Sequence, residues 1–133
     1  MAYPLVARIV ARDLPANASI ANGALVDLVR YIVQNGYRLI DVTGLPTTWG
    51  HWEPALVNDN RGWSDERGLQ SLQMLGMLAA GLTAVPDPAD PDHQLFAAAW
   101  EDLRGHGYVD NLLNLKIAAP SDDNFSDDEV RAV

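Results

Sequence analysis

The stretch Ser64 to Thr83, SDERGLQSLQMLGMLAAGLT, predicts the helix around which the rest of the chain packs. Ser64 is a typical N-cap, and Asp65 and Glu66 follow in the first turn, where the helix macrodipole favours negative charge. Apolar side chains cover most of the circumference of this segment, which is typical of a helix buried on several sides. Three glycines lower its helix propensity and indicate close contact with a neighbouring helix or loop: Gly68, Gly76 and Gly81.

On either side of this stretch, apolar residues recur at helical spacing in four more segments. These segments cover about residues 5–12, 19–34, 91–105 and 108–117. Asn35-Gly36 is typical of a helix C-terminus, and Asp90-Pro91 of an N-cap followed by the first helical residue. Residues 37–52 have strand character around a turn, which predicts a small β-hairpin or extended loop, and residues 53–62 are predicted to be loop.

This order of elements predicts a mainly α fold made of antiparallel helical hairpins, as in bundles, solenoids and toroids. We expect a single helical domain over residues 1–133. Residues 120–133 are an acidic tail or the start of a further helix, because Ser126-Asp127-Asp128-Glu129 is a capping box. A single helical turn is not stable alone in water. The chain is therefore expected to be part of, or truncated from, a longer helical protein, and a frayed tail is the alternative.

Composition excludes several classes of function. The chain has 133 residues, 48% of them hydrophobic, no cysteine, and a net charge of −9. Disulfides, thiolate zinc sites and cysteine nucleophiles are therefore excluded, while the compartment stays open. An acidic surface repels phosphate and anionic lipid, and no apolar run reaches the ~18–20 residues of a membrane span, so we expect a soluble chain with no nucleic-acid or membrane partner. The histidines lack metal spacing, and we expect no metal and no cofactor.

A tryptophan-rich loop, Thr43 to Arg67, is the most informative feature for function. It holds three of the four tryptophans, next to amides, carboxylates and a histidine. Sugar rings have apolar faces and hydroxyl rims, so a site for them needs flat aromatic rings beside polar groups. We therefore expect a carbohydrate ligand, bound by Thr48, Trp49, His51, Trp52, Trp63 and Arg67. The alternative is that the tryptophans form a small core that plugs the loop onto the helix ends.

Four carboxylates are candidates for acid–base work on a glycosidic bond. Two begin the helix described first and two lie in the acidic tail: Asp65, Glu66, Asp127 and Asp128. The alternatives are ordinary helix N-terminal chemistry for the first pair and a solvated tail for the second.

Four stretches together resemble segments of uncharacterised, mostly bacterial proteins that look like α/α-toroids of the six-hairpin glycosidase type. These stretches are 39–44 (LIDVTG), 46–52 (PTTWGHW), 63–72 (WSDERGLQSL), and Asn114 and Lys116 with the SDDE segment at 126–129. The resemblance covers about residues 25–130 and implies a toroidal arrangement, without an activity that can be carried over. It adds Asn114 and Lys116 to the expected substrate-binding residues. This sequence has Phe125 where the relatives tend to have histidine, which weakens a role for that position.

Six-hairpin enzymes close a ring of about twelve helices, and this chain has four or five. We therefore expect a partial toroid or a homo-oligomer that forms through exposed helix faces. Two functions stay open at this point. The first is binding or processing of carbohydrate through the loop at 43–67, and the second is a non-catalytic structural or protein-interaction module with no small-molecule substrate.

Overall fold

The structure is a computed structural model that describes residues 2–59 and 67–113. Its helices are α1 (Ala2–Asp13), α2 (Ala18–Gln34), α3 (Pro54–Val57), α4 (Arg67–Ala84), α5 (Pro91–Gly105) and α6 (Tyr108–Leu113). A 3-10 turn (Pro15–Asn17) joins α1 to α2, and two strands, β1 (Arg38–Ile40) and β2 (Pro46–His51), follow α2. The prediction of a mainly helical fold with a small β-hairpin is confirmed. Residues 64–66 and 114–117, where two predicted helices begin and end, lie outside the described residues.

Helix α4 lies at the centre of the fold. It contacts α1, α2, α3, α5 and α6, which confirms the burial on several sides that its sequence predicted. Met74 and Leu78 are fully buried in the same core as Leu25, Phe96 and Tyr108. The apolar surface of α4 is therefore covered mainly by other helices of the same chain.

Two glycines of α4 have opposite surroundings. A Cβ placed on Gly81 would lie 2.9 Å from Cδ2 of Phe96 and 3.4 Å from Cγ1 of Val29, so α4 approaches α5 and α2 closely at this point. A Cβ on Gly76 would meet nothing within 4 Å. The prediction of close contact is confirmed at Gly81 and is wrong at Gly76, which faces solvent.

Helix ends follow the predicted capping residues. Gly36 adopts a left-handed conformation with φ of 65° at the end of α2, as the Asn35-Gly36 pair predicted. Tyr37 is also left-handed, with φ of 64°, and its amide donates to the Ile32 carbonyl, which closes the helix. At the start of α5, the Asp90 carboxylate accepts a hydrogen bond from the amide of Asp92 at 2.7 Å.

The hairpin of β1 and β2 is antiparallel and strongly bulged. Arg38 pairs with His51 and Ile40 with Pro46. The chain advances by two residues in β1 and by five in β2 between these two pairs, so the extra residues form the bulge in β2. The Asp41 carboxylate holds the turn between the strands, because it accepts hydrogen bonds from the amides of Thr43 and Leu45 and from the Thr43 hydroxyl. These hydrogen bonds lower the pKa of Asp41, the one from the Thr43 hydroxyl most of all.

Residues 53–62 were predicted to be loop, and this prediction is wrong for Pro54–Val57, which form the helix α3. Pro54 begins this short helix, a position that suits proline because the first amides of a helix need no intrahelical partner. Arg67 closes its other end, since its guanidinium donates to the carbonyls of Val57 at 2.9 Å and Asn58 at 2.8 Å. The α3 turn is therefore stabilised from outside its own sequence, which is why local pattern alone did not reveal it.

Consecutive helices pack against each other, α1 on α2 and α4 on α5, and α2 also contacts α5. A bidentate ion pair joins α2 to α5, with Arg30 Nε and Nη2 each 2.6 Å from an oxygen of Asp92. None of the helices within residues 2–59 and 67–113 has the length and hydrophobicity to cross a membrane.

Candidate functional site

Two tryptophans of the predicted site, three residues apart in the chain, have opposite surroundings. Trp49 lies on the bulged part of β2 and is 76% exposed, whereas Trp52 is 7% exposed. A β-bulge twists its strand and changes the direction of side chains, and bulges are common next to functional sites. A large aromatic side chain kept in solvent is the feature that a sugar-binding surface needs.

Gly50 makes this bulge sterically feasible. A Cβ at this position would lie 2.6 Å from Cβ of Leu39 and 2.6 Å from Oγ1 of Thr47, distances that real Cβ atoms essentially never show. The Gly50 amide instead donates to Oγ1 of Thr47 at 3.1 Å. The glycine therefore allows β2 to fold closely over Leu39, directly beside Trp49.

Trp52 belongs to the core. Its indole N–H donates to Oε1 of Gln73 on α4 at 3.0 Å, and its amide donates to the Tyr37 carbonyl at 2.9 Å. Its own carbonyl accepts a short hydrogen bond from the Tyr108 hydroxyl. Little of this side chain is accessible to a ligand. Trp52 therefore fits the alternative interpretation, in which tryptophans of the loop form a small core against the helices, whereas Trp49 does not.

An arginine, a glutamate and a histidine meet at the base of the hairpin, and the histidine and glutamate follow shortly after Trp49 in the chain. Arg38 Nε and His51 Nδ1 each lie 3.0 Å from Oε1 of Glu53. Arg38 and His51 are paired across the two strands, so their side chains start from the same face of the hairpin. We call Arg38, Trp49, His51 and Glu53 the hairpin site.

Burial differs strongly within the hairpin site. The Arg38 side chain is 43% exposed, while the Glu53 side chain is 11% exposed. Among the described residues, Oε2 of Glu53 has no hydrogen-bond partner, and Nε of Arg38 contacts the carboxylate without hydrogen-bond alignment. Burial raises the pKa of Tyr108, and the negative charge of Glu53 raises it further. The phenol therefore stays protonated and donates to the Trp52 carbonyl.

A second polar cluster joins α3, α4 and α6. The Asn111 side-chain amide donates to Oδ1 of Asn58 and to Oγ of Ser71, each at 3.0 Å. Ser71 is fully buried, and the neighbouring Gln70 is buried with no hydrogen-bond partner for its Oε1 among the described residues. Arg67, predicted to bind substrate, donates to two backbone carbonyls beside this cluster. Its contacts in the structure are those of a residue that holds α3 against α4.

Of the other predicted site residues, Thr48 is exposed on β2, beside Trp49. The rest lie outside the described residues, so their roles stay predictions: Trp63, Asp65, Glu66, Asn114, Lys116, Asp127 and Asp128. Within residues 2–59 and 67–113, no group of three or more histidine, cysteine or carboxylate side chains is arranged to hold a metal ion.

Sequence reasoning assigned no role to Arg38, and it included Glu53 in the candidate sugar-binding loop without a role of its own. Glu53 was one of several polar residues in the tryptophan-rich loop, and Arg38 lay outside that loop. The available signal was the strand character of residues 37–42 and 47–52, because a hairpin between them brings Arg38 opposite the His51 end. The register that pairs Arg38 with His51 depends on the bulge, and the alternation of apolar and polar residues along the strands does not predict a bulge.

Comparisons of the chain with known protein families, with curated proteins and with solved structures found no match. The geometry of the hairpin site is therefore the only basis on which a function can be proposed from the described residues.

Proposed function

We propose that this protein binds carbohydrate at the hairpin site, without catalysis by the residues of that site. The observation that carries the proposal is the exposure of Trp49, which is held in solvent by a bulge that requires Gly50. Folding buries Trp52, three residues later in the chain, but leaves Trp49 in solvent. Exposing a second indole forgoes the ~1.5–3 kcal/mol that burial of a large apolar side chain contributes.

The chemistry of the neighbouring groups suits a sugar. An indole face packs against the apolar C–H face of a pyranose ring. The guanidinium of Arg38 supplies hydrogen-bond donors for the hydroxyl rim. Glu53 contacts both Arg38 and His51, which positions these polar groups before a ligand binds.

The proposal is one of binding because the carboxylate of the hairpin site is already engaged. Oε1 of Glu53 contacts Arg38 and His51, and its Oε2 is buried. Glycoside hydrolysis needs two carboxyl groups on either side of the scissile bond. The residues predicted to supply them lie outside the described part of the chain: Asp65, Glu66, Asp127 and Asp128.

A binding screen tests the proposal. Oligosaccharides on a glycan array identify a ligand, and its Kd is then measured by calorimetry and by tryptophan fluorescence. We expect Trp49→Ala to weaken binding about tenfold or more, because the contact between the indole ring and the face of the sugar is lost. Trp49→Phe should retain part of the affinity. Val42→Ala is the matched control, since Val42 is fully exposed at the hairpin turn and has no aromatic ring.

Two outcomes oppose the proposal. Absence of binding across a broad panel of sugars would refute it. Equal loss of affinity in Trp49→Ala and Val42→Ala would show that general apolar contact, and not a ring face, is recognised. Sugar release during incubation with bound oligosaccharides would instead show hydrolysis, and Asp65→Asn and Asp127→Asn would then test the predicted acids.

A protein-interaction module is the second candidate, because Val42 and Leu45 are exposed on the same hairpin as Trp49. Exposed apolar patches are typical of protein-binding surfaces. Trp49→Leu separates the two functions. It retains an apolar side chain and should preserve protein docking, while it removes the flat face that a sugar needs.

We also propose, from the resemblance of the four sequence stretches, that the packed helix pairs are part of an α/α-toroid. The pairs α1–α2 and α4–α5 are consistent with such units. Assembly of several copies would complete a ring, and the mass in solution, measured by light scattering, tests this. A monomer at all concentrations would contradict assembly and would leave carbohydrate binding unaffected.

A further inference from the structure

We infer that the hairpin site selects neutral sugars and rejects sugars that carry a carboxylate or sulfate. This inference rests on the proposed carbohydrate binding and names the class of ligand. It comes from the charges at the base of the hairpin and from the position of Glu53 behind Arg38.

Arg38 is the residue that an anionic sugar would need. An exposed guanidinium binds a carboxylate through two parallel hydrogen bonds, which makes arginine the usual partner of acidic ligands. Here the carboxylate of Glu53 lies 3.0 Å from Nε of Arg38, and Glu53 is nearly buried. A buried partner cannot move away into solvent when a ligand arrives. The positive charge of Arg38 is therefore compensated by the protein itself.

The other groups near the hairpin add contacts to this carboxylate or negative charge. Nδ1 of His51 lies 3.0 Å from the same Oε1 of Glu53. The Asp41 carboxylate at the hairpin turn adds negative charge to the same hairpin, and the hydrogen bonds that it accepts lower its pKa. The whole chain carries a net charge of −9. An anionic sugar therefore meets an acidic protein surface, at a site where Glu53 already compensates the positive charge of Arg38.

Matched oligosaccharides test the inference. The wild-type protein is titrated with a neutral hexose oligomer and with the uronic acid oligomer of the same linkage and length. We expect the neutral oligomer to bind at least about fivefold more tightly, which corresponds to one unfavourable charge contact at the surface. Its affinity should change little with added salt, because no ion pair forms.

Glu53→Gln isolates the cause. This nearly isosteric change leaves Arg38 without its counter-charge, so affinity for the uronic acid oligomer should rise about fivefold or more and become salt-sensitive. The double variant Arg38→Gln/Glu53→Gln is the matched control, and it should lose that gain. Circular dichroism and thermal melting verify that each variant is folded. If Glu53→Gln does not fold, the wild-type comparison of the two oligomers still decides the question.

The outcomes separate the two proposals. Binding of neither oligomer, and of no other sugar, overturns carbohydrate binding and this inference with it. Equal or tighter binding of the uronic acid oligomer by the wild-type protein overturns the inference alone. A gain in uronic acid binding that persists in the double variant also overturns it, because the gain would then not act through Arg38.

Discussion

The contact between Gly81 and Phe96 gives the sharpest test of how α4 packs in the core. Replacing glycine by alanine inside a helix contributes about 1 kcal/mol through helix propensity. At Gly81 the new methyl group would lie 2.9 Å from Cδ2 and 3.0 Å from Cε2 of the fully buried Phe96. Extra methyl groups in a packed core cost about 1–3 kcal/mol. Gly81→Ala should therefore range from neutral to a destabilisation of about 2 kcal/mol.

Gly76→Ala is the matched control on the same helix. It makes the same chemical change, and a Cβ at this position meets nothing within 4 Å. We expect it to stabilise the protein by about 1 kcal/mol, since only the propensity term acts. The two variants should thus differ by about 1–3 kcal/mol in the free energy of unfolding, or by roughly 3–12 °C in Tm for a chain of this size.

Urea unfolding followed by far-ultraviolet circular dichroism measures both variants, with unchanged m-values as the check on two-state behaviour. A Phe96→Leu background then tests the cause, because the smaller side chain leaves room and Gly81→Ala should become less costly there. If Gly81→Ala stabilises the wild-type protein as much as Gly76→Ala does, the close approach of α4 and α5 is refuted. An identical cost in both backgrounds would show that Phe96 is not the residue responsible.

Substitutions at three more positions test other parts of the fold. Asp90→Ala removes the cap of α5 and should cost about 1 kcal/mol, measured by thermal unfolding, with Asp90→Asn retaining most of the stability. Arg30 lowers the pKa of Asp92 below its ordinary value of 3.8, so this ion pair stabilises the fold above that pH and is lost as pH falls through the lowered pKa. Asp92→Asn should cost about 1 kcal/mol near neutral pH, and the free energy of unfolding should then fall less steeply as the pH is lowered below about 4. An unchanged dependence on pH would contradict the ion pair. Gly50→Ala would clash with Leu39 and should cost about 1–3 kcal/mol in urea unfolding, with a change in the tryptophan fluorescence. A variant with unchanged stability would contradict the close approach of β2 to Leu39.

Much of the helical layout is determined by the sequence alone. Apolar periodicity, the Asn35-Gly36 end of α2 and the Asp90-Pro91 start of α5 are local signals, and the structure contains the helix ends that they predict. Near-complete apolar coverage of α4 likewise predicted its central position, because a helix with no polar face has to be covered on several sides.

The hairpin site was decided by tertiary structure. Trp49 and Trp52 have the same local chemistry and lie in the same short segment, so no local pattern separates the exposed ring from the buried one. Their surroundings depend on the register of β2 against β1 and on the hydrogen bond from Trp52 to Gln73 on α4. The α3 turn likewise depends on Arg67, which lies ten residues after Val57 in the chain.

Local periodicity reports which side of an element is apolar, and this was enough to predict the helices. It does not report which residues of two distant segments meet. The contact of Arg38 with Glu53, and with it the charge of the hairpin site, arises only when the hairpin closes and its base packs beside Tyr108 and α4. The sequence therefore determined the helices and the segment in which a site would lie, and only the folded chain decided which side chains form that site.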